Sequence, residues 1–217
     1  MSPVLCRLSY PPGAHTLPGP AAAGRRAGEK TPTIGIMDAA PLPPRPDKNT
    51  YFLLIALAAR TRADCLGRRV GAVITREGRV LSTGYNGTPF GMPNCSEGGC
   101  HRCSRRDDDR LRGGAYDVCI CVHAEQNALL TAARFGQQTL GASLTSTTQP
   151  CFGCLKEMLQ AGISEVHYLH PWDPAEAYGD QALVAQYAAL RARFTTFAQV
   201  GDPALDTADL FGAFVKR

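Results

Sequence analysis

The stretch "GASLTSTTQPCFGCLKEMLQAGISEVHYLH" (residues 141–170) carries the strongest indication of the fold. Its first part, 141–147, is rich in Ser and Thr and is predicted as a β-strand. A helix follows, with Pro150 at its beginning and Gly162 at its end, positions that these two residue types favour. Another strand is predicted over 164–170. A strand, a helix and a second strand in close succession indicate a βαβ crossover between parallel strands.

The same alternation extends in both directions along the chain. The other predicted elements are a helix over 47–64, strands over 70–75 and 79–84 that form a hairpin, a helix over 123–136, a helix over 180–194 and a strand over 194–200. Asp47, Asn49 and Thr50 are the candidate N-caps of the first helix. Strands that alternate with helices predict an α/β fold whose sheet is covered on both faces.

Composition divides the chain into a tail and a body. The chain has 217 residues, of which 44% are apolar, enough for one domain with a single core. Residues rich in Pro, Gly and Ala open the chain and are predicted to be disordered, because they cannot build a packed core. The predicted domains are a disordered tail over 1–46, a folded domain over 47–200 and a C-terminal tail over 201–217.

Charge and hydropathy exclude two classes of partner. The net charge is +4, but residues 1–36 hold four basic residues against one acidic residue, which leaves only +1 for the body. A nearly neutral body lacks the strong positive charge that is typical of nucleic-acid-binding domains, and this favours a small-molecule substrate. The longest apolar run near the start, 51–59, is too short to cross a bilayer, and no secretory signal is evident. We therefore expect a cytoplasmic protein without a nucleic-acid or membrane partner.

Four residues at two predicted helix starts indicate a metal site. His123 and Glu125 begin one helix, and Cys151 and Cys154 begin the next. Two thiolates and one imidazole give zinc three protein ligands and leave the fourth tetrahedral position for water. Zinc lowers the pKa of such a water from 15.7 to about 7. Glu125 is predicted to carry a proton from this water to a substrate nitrogen.

Each motif alone has another explanation. A single C-x-x-C occurs in redox pairs and in structural zinc sites, and H-x-E occurs at ordinary helix starts. Together, and in this order, H-x-E and P-C-x-x-C form the signature of zinc deaminases, in which the glutamate is the general acid and base.

Longer stretches of the chain resemble the deoxycytidylate (dCMP) deaminase family. They are "VGAVITREGRVLSTGYNGTPFGMPNC" (70–95), "CVHAEQNALL" (121–130) and "PCFGCLKEMLQAGISEVHYL" (150–169), and the similarity extends over roughly 49–172. The resemblance implies a three-layer α/β/α sandwich around a mixed five-stranded sheet. It also implies zinc-dependent conversion of dCMP to dUMP and ammonia for thymidylate synthesis, with attack at C4 of cytosine and proton transfer by Glu125.

The resemblance implies further contacts and partners. Asn86 and Thr88, in "GYNGTP", are expected to bind substrate, and Tyr168 is a candidate phosphate contact. Arg134 is a candidate for effector response or subunit contact. The family is activated by dCTP and inhibited by dTTP and assembles into oligomers, so we expect a homo-oligomer, with Mg²⁺ only alongside a bound nucleotide effector. The alternatives for these residues are a tight turn, a strand tyrosine and a solvated arginine.

The remaining cysteines predict a second metal site. Nine cysteines, an odd number that clusters beside histidines, indicate metal ligation in a reducing compartment rather than disulfides. A second, structural zinc would take four of Cys65, Cys95, Cys100, Cys103, Cys119 and Cys121. The alternative is that these residues are reduced thiols, some of them buried as small apolar groups.

Three other functions remain open at the level of sequence. A tRNA adenosine deaminase would share the metal site but act on a flipped base. A deaminase of free nucleosides or of a riboflavin precursor would need no phosphate contact. A zinc-binding module without catalysis would have no use for Glu125.

Overall fold

The computed structural model describes residues 46–105 and 119–203. Its helices are α1 (Lys48–Arg60), α2 (His101–Ser104), α3 (Ala124–Arg134), α4 (Phe152–Gln160), α5 (Pro174–Tyr178) and α6 (Gln181–Arg191), with a 3₁₀ turn over Cys95–Glu97. Its strands are β1 (Gly71–Arg76), β2 (Arg79–Tyr85), β3 (Ser143–Thr148), β4 (Glu165–His170) and β5 (Thr196–Gln199). The predicted tails, 1–46 and 201–217, lie almost entirely outside the described residues.

The five strands form one mixed sheet in the order β2-β1-β3-β4-β5. Strands β1 and β2 are an antiparallel hairpin, whose turn places Glu77 and Gly78 at positive φ of 53° and 74°. Strand β3 runs antiparallel to β1 and parallel to β4, and β4 runs parallel to β5. The parallel pairs β3–β4 and β4–β5 confirm the predicted crossovers, and β3 lies at the centre of the sheet.

Helices cover both faces of the sheet. Helix α1 begins at Asp47, whose side chain accepts a 2.9 Å hydrogen bond from the Thr50 amide. It packs Phe52 and Ala56 against Val73 of β1. The neighbouring β1 side chain, Ile74, points the other way because strand residues alternate. The structure confirms the predicted three-layer sandwich.

The second layer of helices completes the main core. Helices α3, α4 and α6 contribute Ala128, Leu155 and Tyr187 to the same apolar cluster as Ile74 and Val166. The starts of α3 and α4 lie close together, because His123 before α3 is 3.4 Å from both Cys151 and Cys154 at the start of α4. This placement is what assembles the site.

Two short helices and the 3₁₀ turn were not predicted. Helix α5 begins at Asp173, which accepts a 2.8 Å hydrogen bond from the Ala175 amide, and has Pro174 in its first turn. Both residues signal a helix start, but five residues are too few to show a helical period. No helix of the described residues is long and apolar enough to cross a membrane.

Candidate active site

Three of the predicted ligands form a compact triangle. His123 is the N-cap of α3, Cys151 is the N-cap of α4, and Cys154 lies in the first turn of α4. The Nδ1 atom of His123 is 3.4 Å from the Sγ atom of each cysteine, and the two Sγ atoms are 3.6 Å apart. The two helix starts therefore bring together groups that are 31 residues apart in the chain.

Local bonds fix the approach to His123. Val122 exchanges two backbone hydrogen bonds with Gly87, of 2.9 Å and 3.2 Å, in an isolated antiparallel bridge. The His123 amide donates a 2.8 Å hydrogen bond to the Gln126 side chain, which satisfies an amide at the helix start. These bonds fix the backbone at His123 through the residue before it and through the first turn of the helix after it.

The triangle has the dimensions of a zinc site. Tetrahedral zinc with ordinary bond lengths places two sulfurs about 3.8 Å apart and a sulfur and a nitrogen about 3.6 Å apart. The observed separations of 3.6 Å and 3.4 Å match one face of such a tetrahedron. Among the residues that the structure describes, no further His, Cys, Asp or Glu joins this group. The donor set leaves one tetrahedral position for a small molecule.

Glu125 lies beside the triangle and is buried, with 4% of its surface exposed. Its Oε1 atom accepts a 2.9 Å hydrogen bond from Ser146 on β3, and its Oε2 atom is 3.6 Å from Cys154 Sγ. Burial raises the pKa of the carboxyl group, and the negative charge of Cys151 raises it further, while His123 and Ser146 lower it. A raised pKa makes this carboxyl group a better proton acceptor than an ordinary glutamate, as a general base requires.

Of the two ligand thiols, Cys151 ionises more readily, because its pKa is lowered whereas hydrogen bonding with Cys151 and burial raise the pKa of Cys154. The hydrogen bond with Cys154 and the neighbouring His123 together lower the pKa of Cys151 to about 4, against the opposing effect of burial. Hydrogen bonding with Cys151 raises the pKa of His123. A thiolate beside an imidazole is the form in which these groups bind zinc.

A cavity of about 470 Å³ opens onto the triangle. Its lining residues include His123, Glu125 and Cys151, together with Arg68 and Trp172. The volume lies within the range that is usual for small-ligand sites. An apolar ring, a carboxyl group and a guanidinium in one cavity suit a ligand that has both a flat base and an anionic group.

Asn86 shapes the wall of this cavity. Its Oδ1 atom accepts a 2.7 Å hydrogen bond from the Val70 amide, and its Nδ2 atom donates a 2.9 Å bond to the Arg68 carbonyl. The buried amide therefore holds the segment that presents Arg68. Of the two glycines beside it, Gly84 allows close approach, because a Cβ there would lie 2.1 Å from the Ala124 carbonyl oxygen, whereas Gly87 has open space and no positive φ.

The other predicted contacts lie apart from the triangle. Thr88 is half-buried and is not among the residues that line the cavity. Tyr168 is buried against Phe197, with ring centroids 5.4 Å apart, and does not line the cavity either. Its position on β4 therefore does not support a phosphate contact. The position agrees with the alternative that Tyr168 is a tyrosine packed within the sheet. Arg134 is exposed at the far end of α3, with its guanidinium 5.9 Å from the Phe135 ring centre.

Sequence reasoning missed Ser146, Arg68 and Trp172. Ser146 is buried on the central strand and supports Glu125. A run of hydroxyl residues in a fully covered strand, "SLTSTT", was a signal that some of them serve a polar group, since an unpaired buried hydroxyl is costly. Arg68 and Trp172 gave no signal in a single sequence.

The loop cysteines gather in a second place. All six predicted candidates belong to one cluster, in which five are buried and Cys119 is half-buried. Cys121 joins this loop cluster and not the triangle around His123, although only Val122 separates it from that residue. All eight cysteines in the described part of the chain are free thiols.

A family profile matches this fold and site. The family described as the cytidine and deoxycytidylate deaminase zinc-binding region matches residues 46–170. The match covers more than half of the chain and includes both helix starts. The chain belongs to this family of zinc-binding deaminase domains.

Individual relatives are similar over the same region. A deoxycytidylate deaminase of Saccharomyces cerevisiae is 48% identical over 126 residues, 57% of this chain and 38% of that protein. A deoxycytidylate deaminase of Mycobacterium phage D29 is 41% identical over 129 residues, 57% of this chain and 95% of that protein. The chain thus spans well under half of the yeast protein and nearly all of the phage protein.

A solved structure shares the architecture. The dCMP deaminase from cyanophage S-TIM5, crystallised in complex with dCMP and dUMP, superposes with a TM-score of 0.53 at 25% identity. The alignment covers 72% of this chain and 98% of that one.

Proposed function

We propose that this chain is a hydrolase that converts dCMP and water to dUMP and ammonia, and so supplies dUMP for thymidylate synthesis. The observation that carries this proposal is the position of Glu125 beside a three-ligand triangle within one cavity. The names of the yeast and phage relatives support dCMP as the substrate.

The residues have distinct roles in this reaction. His123, Cys151 and Cys154 would hold zinc, which when bound supplies the Lewis acidity that makes water a nucleophile at neutral pH. Glu125 takes a proton from the attacking water and delivers it to N3 of the cytosine. It then takes the second proton from the new hydroxyl on C4 and passes it to the amino nitrogen, so that the C4–N bond breaks, ammonia leaves and a carbonyl remains. Ser146 holds the carboxyl group of Glu125 in place through its 2.9 Å hydrogen bond.

Substrate recognition is proposed at other residues that line the same cavity. Arg68 offers a positive charge for the 5′-phosphate, and the Asn86 side chain holds the Arg68 backbone carbonyl at 2.9 Å. Trp172 offers a flat apolar surface to the base or sugar. Asn86 contributes to binding through this framework, and Thr88 stays a prediction.

The experiment that tests the function is an ammonia-release assay on purified full-length chain. The substrates are dCMP, CMP, deoxycytidine, dCTP and an anticodon stem-loop RNA. We expect dCMP to be the best substrate, with deoxycytidine at least about tenfold slower, because an ionic hydrogen bond is worth about 1.5–3 kcal/mol. Turnover of deoxycytidine at the dCMP rate would reject the phosphate contact, and turnover of RNA alone would reject the proposal.

Arg68→Gln separates phosphate recognition from the chemical step. This variant should lose efficiency on dCMP and keep its rate on deoxycytidine, because only dCMP carries the anionic group. Arg62→Gln, at an exposed arginine near the end of α1, is a matched control that should leave both rates unchanged. Equal losses on both substrates in Arg68→Gln would place Arg68 in a structural role.

We further propose a cytoplasmic homo-oligomer that responds to dCTP and dTTP, with Mg²⁺ bound only together with such an effector. Exposed apolar side chains on and after α3, including Leu130 and Phe135 at 60% and 69% exposure, support a subunit contact near Arg134. Free thiols throughout the described residues support a reducing compartment. The loop cluster is proposed to hold structural zinc.

A further inference from the structure

The loop cluster has more ligands than one zinc ion can use. Its six thiols come from four segments: the end of the α1 region, the 3₁₀ turn, α2, and the strand-like approach to α3. The residues are Cys65, Cys95, Cys100, Cys103, Cys119 and Cys121. One closed zinc site takes four thiolates, so it would leave two further thiols beside it with no metal to bind.

The sulfurs are arranged as overlapping groups. Three sets, each with ligand atoms within 4.8 Å of one another, are Cys65–Cys95–Cys121, Cys95–Cys100–Cys103 and Cys100–Cys119–Cys121. Cys95, Cys100 and Cys121 each belong to two sets. No cysteine of the loop cluster stands apart from the other five.

The overlaps join all six sulfurs into one network, with one half around Cys95 and the other around Cys100, and Cys121 also lies close to Cys65 and Cys95. Cys65 and Cys103, whose sulfurs are 3.9 Å apart, both lie within 4.8 Å of Cys95. Cys119 and Cys121 both lie within 4.8 Å of Cys100, with the Cys100–Cys119 sulfurs 4.0 Å apart. These separations are close to the sulfur–sulfur edge of about 3.8 Å around tetrahedral zinc.

Cys95 and Cys100 are adjacent sulfurs that connect the two halves, as Cys121 also does. They lie within 4.8 Å of each other and in the same set as Cys103. The Cys100 thiol also hydrogen bonds with Cys103, Cys119 and Cys121, which makes it the contact between the two halves. A shared thiolate needs this position, because it must reach both ions.

We propose that the loop cluster is a binuclear centre in which two zinc ions share the thiolates of Cys95 and Cys100. Cys65 and Cys103 complete one tetrahedron, and Cys119 and Cys121 complete the other. Soft thiolate ligands in tetrahedral geometry favour zinc over the harder divalent cations. Arg68 and Arg102, which line the adjoining cavity, place positive charge near a centre that would carry about −2.

The centre would act on the active site through Cys121. That residue is followed by Val122, which pairs with Gly87, and then by His123. Fixing Cys121 to a metal therefore fixes the chain that enters α3. The role is a structural one, because none of the six thiols belongs to the triangle around His123.

The inference is tested first by metal content. Native mass spectrometry and elemental analysis of the full chain should give about three zinc ions per chain, one at the active site and two in the loop cluster. The double variant C151S/C154S removes the active-site ion and should retain two. Two ions in the parent chain and one in the variant would replace the binuclear centre with a single zinc, and iron with visible absorption would replace it with an iron–sulfur cluster.

Shared ligands have a spectroscopic signature of their own. The parent chain reconstituted with cadmium-113 should show, besides an uncoupled resonance from the active site, two thiolate-ligated cadmium resonances that are coupled to each other through the bridging sulfurs. Two resonances without mutual coupling would mean separate sites and would overturn the proposal. This measurement uses no variant, so a misfolded mutant cannot obscure it.

The binuclear centre and the proposed function can be rejected independently of each other. Only the expected total of three zinc ions rests on the proposed function, because it includes the active-site ion. A chain that deaminates dCMP and holds one ion in the loop cluster would reject only the binuclear centre. A chain with coupled cadmium resonances and no activity on dCMP would reject only the function.

Discussion

The Ser146 hydroxyl, on the central strand, donates a 2.9 Å hydrogen bond to the carboxylate of Glu125 at the start of α3. Both side chains are buried, so water does not compete for either group. Strand β3 ends at the start of the helix that carries the two cysteines, and α3 begins at the histidine. This one bond therefore links the proposed proton carrier to the strand that leads to the proposed metal ligands.

Replacing Ser146 with alanine should move the pH profile of the reaction. The hydrogen bond favours the charged carboxylate and so lowers the pKa of Glu125, while burial raises it. Without the bond the pKa rises further, and less carboxylate is present at a given pH. The acidic limb of kcat/KM should move to higher pH by about one unit, since a bond to a charged group is worth about 1.5–3 kcal/mol.

A second buried serine is the control for this prediction. Ser82 donates a 2.8 Å hydrogen bond to the Ala128 carbonyl, farther along α3. Ser82→Ala should change stability but not the position of the acidic limb. A profile for Ser146→Ala that coincides with the parent would show that the bond does not tune Glu125.

Glu125→Gln should separate metal binding from catalysis. The amide keeps the size of the side chain but cannot carry a proton, so kcat on dCMP should fall by about 10²–10⁴. Zinc content should stay at the parent level, because His123, Cys151 and Cys154 are intact. Glu77→Gln, in the exposed hairpin turn, is the matched control and should be fully active. Normal deamination by Glu125→Gln would refute the proposed proton transfer.

Asn86→Ala should weaken substrate binding more than it slows the chemical step. The change removes the bonds of 2.7 Å and 2.9 Å that hold Val70 and Arg68. Two lost bonds, each worth about 1 kcal/mol, should raise KM for dCMP about tenfold or more, with a smaller change in kcat. Asn127→Ala removes a single exposed amide bond of 2.7 Å to Tyr85 and serves as the control. An unchanged KM in Asn86→Ala would mean that the position of Arg68 in the cavity wall does not depend on the Asn86 side chain.

Gly84→Ala should destabilise the fold, and Gly87→Ala should not. A Cβ at Gly84 would lie 2.1 Å from the Ala124 oxygen and 2.4 Å from the Ala128 nitrogen, so α3 must shift away from the sheet. Overpacking of this kind costs about 1–3 kcal/mol in the free energy of unfolding. A Cβ at Gly87 meets nothing within 4 Å. Denaturant unfolding of both variants measures the difference, and equal stability would contradict the close approach.

The longer elements could be predicted from sequence because their signals are local. Asp47 caps α1, and Gly162 follows α4 at a positive φ of 77°, as expected for a residue after a helix. Helix α2 has no such signal: its four residues, His101–Ser104, contribute Cys103 to the loop cluster and include no apolar period. Whether such a short helix forms depends on contacts between segments that are distant in the chain. These contacts cannot be deduced from a single sequence.

The same distinction applies to the candidate site. His123, Cys151 and Cys154 could be predicted as ligands because their chemistry and spacing are specific. Ser146 could not, since the face on which a strand hydroxyl lies depends on register, here the pairing of Ser146 with Ala72. The surroundings of Tyr168 depend on register in the same way, because its neighbours on the sheet place it against Phe197, and its phosphate contact stays a prediction.

The short separation of 31 residues between His123 and Cys154 bears on how the molecule matures. A single crossover brings the three donor atoms together, and the entropy lost in closing a segment grows only slowly with its length. A metal ion held by these three donors would therefore close only one short segment of the chain. Such an ion would add to the stability of the fold as well as to its chemistry, since binding free energy at a site absent from the unfolded chain is also folding free energy.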